Sequence, residues 1–343
     1  MNEHEEYAFD LDDLDDRAMS GLLKKAKRKN TLRTAMISAG VTLLMVVGGF
    51  FGYVQLDSYN RDRTFFDLET ITAITQPNVE HLLQSPAPVN AGLLHNGLSV
   101  QTYKIIEGIP VRWETQIYEY SLWGSFQQLN RAGSITLEEG QSEINATYNP
   151  QTFQRELEFF LPFLSYKEYA DDLPLLAHME GQAAELALSF DKPYSSAEIE
   201  KMLPAGVHPQ WYWVDAYYDK TALLPHEIEV NVKRPDGSVF KVPQTVRTDS
   251  PEQARSVYGF DARSGQTEES FLQAVERGLS INKMHHDEFA RIYNYLRGDK
   301  VKPTPADVKI LGVVVTGTAE ALQQLQGASY LKASVLGVTV DVP

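Results

Sequence analysis

Ser280 and Lys283, and again Ser329 and Lys332, stand three residues apart, the spacing at which a lysine can activate a serine nucleophile. Neither pair has the Ser-Asp-Asn or Lys-Thr-Gly elements that complete such a site, so both read as chance. His285-His286-Asp287-Glu288 offers metal-ligating types, but neighbouring helical residues diverge by about 100°. That run reads as a polar helix start. Asp171, Asp172 and Asp215 are acids from which an unfamiliar hydrolytic site could be built. Asp10 and Asp12 begin an EF-hand-like pattern that fails where Leu14 and Asp15 replace the required ligand and glycine. The chain has no cysteine, which excludes a disulfide framework, a thiolate nucleophile and a Cys-ligated metal. It also lacks a phosphate-binding glycine loop, a nucleophile elbow and a His-Glu-x-x-His helix. No catalytic residue, cofactor or metal is therefore assigned. Trp211, Trp213 and Tyr217, with Tyr212 and Tyr218, could line a ligand groove. Alternating aromatics on a strand more often pack on both faces of a covered sheet.

The elements around these residues carry a clearer message. A formal charge of -15 over 343 residues argues against an electrostatic grip on nucleic acid. From Thr34 to Leu56 no residue is charged, and about twenty apolar residues cross a hydrocarbon core of roughly 30 Å. The stretch holds Gly40, Gly48, Gly49 and Gly52, which lipid tolerates in a helix better than water does. Tyr53 sits at the expected interface. Lys24, Lys25, Lys27, Arg28, Lys29 and Arg33 precede the span, so residues 1–33 are expected inside and the chain beyond the span outside.

Residues 1–16 hold eight acids and no Lys or Arg. Leu11, Leu14, Ala18 and Leu22 recur at helical spacing, widened by Met19 and Leu23. Asp12 and Asp13 fall near the start of this helix and the lysines near its end, which suits the macrodipole. Two readings are open. The apolar face, with Phe9, docks on a cytosolic partner while the acids steer it towards a basic surface; or the segment is a solvated acidic tail.

Beyond the span, residues 57–97 read as a stalk and 98–165 as a β-rich part, with strands Ser99–Ile106 and Val111–Leu122 about a Glu107–Pro110 turn. A helix is expected over Gln151–Leu161. Residues 166–343 then give strand Ala184–Phe190, a helix capped by Ser195 or Ser196, and strand Trp211–Tyr218. The order recurs as strand Lys309–Thr316, helix Ala319–Leu325 and strand Tyr330–Val340. The expected fold is α+β: one transmembrane helix plus an outer domain with two β-α-β units in a ferredoxin-like arrangement. Helices near Glu268–Leu279 and His285–Leu296 form an insertion between those units.

Several of these segments resemble one family, the sigma-factor regulators of Gram-positive bacteria, which are membrane anti-sigma factors. The likeness is carried by Ala184-Glu-Leu-Ala-Leu-Ser-Phe-Asp-Lys-Pro-Tyr194, the Glu198–Pro204 helix and Trp211-Tyr-Trp-Val-Asp215. It resumes at Leu311-Gly-Val-Val-Val-Thr-Gly317 with Leu322 and Leu325, and ends with the final strand. Lys24-Lys-Ala-Lys-Arg-Lys29 and the following span look like the family's N-terminal domain. The resemblance implies that the tail holds an extracytoplasmic-function sigma factor at the plasma membrane while the outer domain senses the envelope. A small membrane co-regulator is compatible with it. One departure is plain: His4 alone cannot supply the zinc-binding His/Cys helix used by some anti-sigma factors, so binding would rest on the apolar stripe and charge. The competing readings are a membrane-anchored extracellular enzyme and a ligand-binding or scaffold protein of the envelope.

Overall fold

The computed structural model describes residues 11–342 apart from 83–86, 91, 93, 131–132, 138–145, 235–236, 247–249, 264 and 282. The chain divides into two compact units, residues 1–59 and 60–343. The first helix, α1, runs Leu11–Thr72 and so contributes to both.

In the first unit α1 carries the uncharged Thr34–Leu56 stretch, whose 23 residues span about 34 Å at 1.5 Å each. Leu43, Leu44, Met45, Val46, Phe50 and Phe51 are all exposed. An apolar helix that no described residue covers suits lipid and not water, and this one is long and apolar enough to cross a membrane.

The second unit begins with the end of α1, where Asn60, Thr64, Asp67 and Leu68 are buried. That spacing is one helical face. Asn60 donates to the Leu122 carbonyl at 2.7 Å, and Leu68 packs with Val100, Tyr118 and Phe126. Of the residues expected in a stalk, Asn60, Thr64, Asp67 and Leu68 therefore pack into the second unit. The reason is this short amphipathic stretch, which the apolar run before it obscures.

Strands β1 (Glu80–His81), β2 (Ala87–Asn90), β3 (His95–Ile106), β4 (Ile109–Ser121) and β5 (Phe126–Gln128) form one antiparallel sheet. Its main hairpin turns on Glu107 and Gly108, both at positive φ (49° and 82°), the geometry that matches strand twist in a two-residue loop. The turn is thus tighter than the sequence suggests, and Ile109 and Pro110 open β4. Short strands β6 (Ile135–Leu137) and β7 (Ala146–Tyr148) pair with each other. The expected Gln151–Leu161 helix is a turn followed by extended chain, with Phe153 at φ 56° and only β8 (Glu158–Phe159) regular. Leu157, Phe159, Phe160 and Leu161 are all buried, which a single helix against one surface cannot achieve for four such neighbours.

The rest of the unit is built on β9 (Gln182–Tyr194), α2 (Ser196–Met202), β10 (His208–Val214), a short α3 (Lys220–Leu223), the hairpin β11 (His226–Lys233) and β12 (Val239–Val246), β13 (Glu252–Gln253), β14 (Gly259–Asp261), α4 (Glu268–Gly278), α5 (Lys283–Arg297), β15 (Ile310–Thr318), α6 (Ala319–Gln323) and β16 (Leu331–Asp341). Five strands join in the order β14-β10-β15-β9-β16, with every neighbouring pair antiparallel. Leu186, Leu188, Phe190, Tyr212, Val313 and Val315 pack on one face against α2, α4, α5 and α6. Trp211, Trp213, Leu311 and Val314 pack on the other against Leu157–Leu164. With both faces covered, these strands read in sequence as nearly unbroken apolar runs.

Candidate functional site

The candidate partner face lies at the start of α1. Phe9 falls outside the described residues, and Leu11, Asp12, Asp13 and Leu14 are described as helical backbone only. Met19, Leu22 and Leu23 are 58, 67 and 65 % exposed. Their spacing sets them on one side of the helix.

The residues that suggested chemistry have structural duties. Ser280 donates its hydroxyl to the Arg277 carbonyl at 2.7 Å. Lys332 donates to the Pro162 and Leu164 carbonyls at 2.8 and 2.7 Å. Asp215 accepts from Lys220 at 2.5 Å and from Tyr295 at 3.2 Å. Asp171 accepts from Ser334 at 2.8 Å, and Asp172 pairs with Arg155 at 3.0 Å. Among the described residues no group of three His, Asp or Glu side chains gathers as a metal site. Trp211 and Trp213 are core residues, tilted against Phe159 with ring centroids 6.5 and 5.0 Å apart. Tyr217 meets Trp213 edge-on at 6.1 Å. The three aromatics pack together on this face of the sheet.

The second unit instead holds a cavity of about 480 Å³, within the roughly 300–1,000 Å³ of small-molecule sites. Sequence reading missed it, because its walls come from segments far apart in the chain: the last turns of α1 and the loop after them, β4 and β5, residues 254–258, and the start of α5. Strand alternation places Glu114, Gln116 and Tyr118 on one side of β4. That inward polar pair was the available signal. Helix α5 brings Glu288 and Phe289, and Arg291 anchors it by donating to the Ala216 carbonyl at 2.7 Å.

A chain of hydrogen bonds runs along the polar wall. Tyr118 Oη donates to Gln116 Oε1 at 2.5 Å. Gln116 Nε2 donates to Glu114 Oε1 at 2.7 Å and to Gln76 Oε1 at 2.9 Å. Gln76 Oε1 also receives His81 Nε2 at 3.0 Å. Arg255 Nη2 lies 2.6 Å from Glu156 Oε1 and 3.7 Å from Glu114 Oε2. Burial pushes the His81 imidazole down to about 4, and burial together with the Glu114 charge raises the Tyr118 phenol. The Arg291 guanidinium, then the Tyr258 hydroxyl, hold Glu288 below the usual carboxylate range.

The loop after α1 is tied to three other elements. Ile74 O accepts from Gly259 N of β14 at 2.9 Å, and Gln76 joins the wall chain of β4. Asn78 Nδ2 donates to Glu185 Oε1 of β9 at 2.7 Å. Gln76 and Asn78, on either side of Pro77, are both left-handed, with φ of 62° and 52°. Non-glycine residues hold such values only where their surroundings enforce them.

Residues 20–111 match a family model described as sigma factor regulator N-terminal, and residues 176–338 match one described as sigma factor regulator C-terminal. The two matches together cover well over half of the chain. No curated protein and no solved structure gives a match.

Proposed function

The chain belongs to the sigma factor regulator family, whose members are regulators and not enzymes, and from that premise we propose a membrane-bound anti-sigma factor with its N-terminus in the cytoplasm. Helix α1 crosses the plasma membrane once over residues 34–56. The six basic residues between Lys24 and Arg33 face the cytoplasm. The tail, residues 1–33, holds an extracytoplasmic-function sigma factor through Phe9, Leu11, Leu14, Met19, Leu22 and Leu23, with Asp12 and Asp13 steering a basic surface onto it. The outer part, made of residues 57–97, 98–165 and the C-terminal regulator domain 166–343, senses the cell envelope, and a small membrane co-regulator can act beside it. The observation carrying this reading is that the N-terminal match begins at residue 20 and includes the whole uncharged run 34–56 of α1. The C-terminal sheet is read as ferredoxin-like: β9, β10, β15 and β16, taken as strands one to four, lie in the order 2-3-1-4, with a helix after the first and third.

The test is co-purification of the tagged full-length chain from membranes of its source bacterium. One sigma factor should accompany it and be lost when Leu14 and Leu22 are replaced by Asp. Deletion of residues 1–22 should raise transcription from that sigma factor's promoters. Unchanged co-purification in the double variant would remove this face from the interface, and unchanged transcription after the deletion would refute the anti-sigma reading.

A further inference from the structure

The cavity at the end of α1 carries a net charge and is bordered by two left-handed residues, Gln76 and Asn78. Among the described residues and with His285 neutral, three carboxylates (Glu114, Glu156, Glu288) and two cations (Lys104, Arg255) line it. Counting the partners behind them, Glu185 on Lys104 at 2.8 Å and Arg291 on Glu288 at 2.5 Å, adds one charge of each sign. Among the described residues an excess of one negative charge remains. Each lining cation already lies within 2.8 Å of a carboxylate, so an anion would have to displace one. Glu114 has amide donors, Gln116 at 2.7 Å and Asn149 at 3.2 Å, while its nearest guanidinium is 3.7 Å away and sits closer to Glu156. Apolar and aromatic wall comes from residues such as Ile71, Trp113, Phe126 and Phe289, beside polar Thr72, Thr75 and Gln127.

Protein interiors contain few voids larger than a water molecule, and a cavity beside two left-handed residues held by hydrogen bonds has the character of a ligand clamp. We propose that this cavity binds a small hydrophobic monocation, an aryl-alkyl amine in chemical class, with its ammonium at Glu114 and its apolar body against the aromatic walls. A low-dielectric pocket of one net sign concentrates the opposite charge, and ring faces add attraction for an ammonium. Use of the site as a signal input rests on the anti-sigma reading, because Leu68 and Ile71 of α1 form part of its wall. Binding itself does not rest on it.

The test is isothermal titration calorimetry on the full chain in phosphatidylcholine nanodiscs, with empty nanodiscs subtracted. The probes are 4-phenylbutylamine, 4-phenylbutyrate and 4-phenylbutanol, which share a body and differ in charge. The amine should bind one to one and about tenfold or more tighter than either of the others, the ratio that about 1.4 kcal/mol gives. Glu114→Gln should remove that preference and leave the alcohol unchanged. Equal binding of all three, or saturable binding by none, would overturn the proposal, and this comparison on the unmodified chain needs no variant to fold. Calorimetry reads the cavity and sigma-factor co-purification reads the tail, so failure of either reading is seen separately.

Discussion

Lys104 Nζ donates to Glu185 Oε2 at 2.8 Å with the two side chains 2 and 0 % exposed. The pair joins β3 of the first sheet to β9 at the heart of the second. Glu185 also accepts from Asn78 at 2.7 Å and from the Val338 backbone of β16 at 3.3 Å, and Lys104 lies 4.2 Å from the centre of the Trp113 ring. One carboxylate thus ties the loop after α1, a cavity strand and the central sheet.

Breaking that pair from one side leaves a buried charge. Lys104→Met or Glu185→Gln should each lower unfolding stability by about 3–5 kcal/mol, read as the urea midpoint of tryptophan fluorescence. Replacing both, as Lys104→Met with Glu185→Leu, should recover part of the loss but not all, because Asn78 then loses its acceptor.

His81 should make the second unit acid-sensitive. Its folded value lies near 4, below an ordinary 6.5. Above pH 6.5 the imidazole is neutral folded or unfolded and contributes no pH dependence. As pH falls below 6.5 the unfolded state takes up the proton first, so stability declines until about pH 4 and then levels off. At 1.36 kcal/mol per unit the full loss is of the order of 3 kcal/mol. Thermal midpoints measured between pH 7 and 4 should fall more steeply for the unmodified chain than for His81→Gln.

Asn78 separates backbone strain from side-chain bonding. Asn78→Ala loses the bond to Glu185 and keeps a left-handed backbone at φ 52°. Asn78→Gly loses the same bond without the Cβ penalty. The alanine variant should be less stable than the glycine variant by about 1 kcal/mol, measured by denaturant midpoint.

Gly278, near the end of α4, has the aromatic ring of Phe289 directly against it. A Cβ there would fall 2.0 Å from Phe289 Cδ1. Glycine to alanine within a helix ordinarily gains up to about 1 kcal/mol, but Gly278→Ala should instead cost roughly 1–3 kcal/mol by overpacking. Because Phe289 lines the cavity, the same variant should also weaken amine binding in calorimetry.

Features that depend on neighbours in the chain were legible in the sequence alone. An uncharged run such as Thr34–Leu56 marks, residue by residue, a helix long and apolar enough to cross a membrane. The covered strands are equally plain: Ala184–Phe190 lies within β9 and Lys309–Thr316 overlaps β15, because burial on both faces leaves an unbroken apolar signature. Helices α4 and α5 lie within a few residues of the helices expected over Glu268–Leu279 and His285–Leu296. What only the tertiary structure decided depends on partners far away in sequence. Trp211 and Trp213 became core once Phe159 arrived from fifty residues upstream. Leu157–Leu161 became extended because several surfaces claim it at once. Asn60–Thr72, hidden at the end of one helical pattern, found its place against β3, β4 and β5. The cavity belongs wholly to this second class. Gln76, Glu114, Arg255 and Glu288 carry no shared motif, and only folding of the chain across long separations sets their charges around one space.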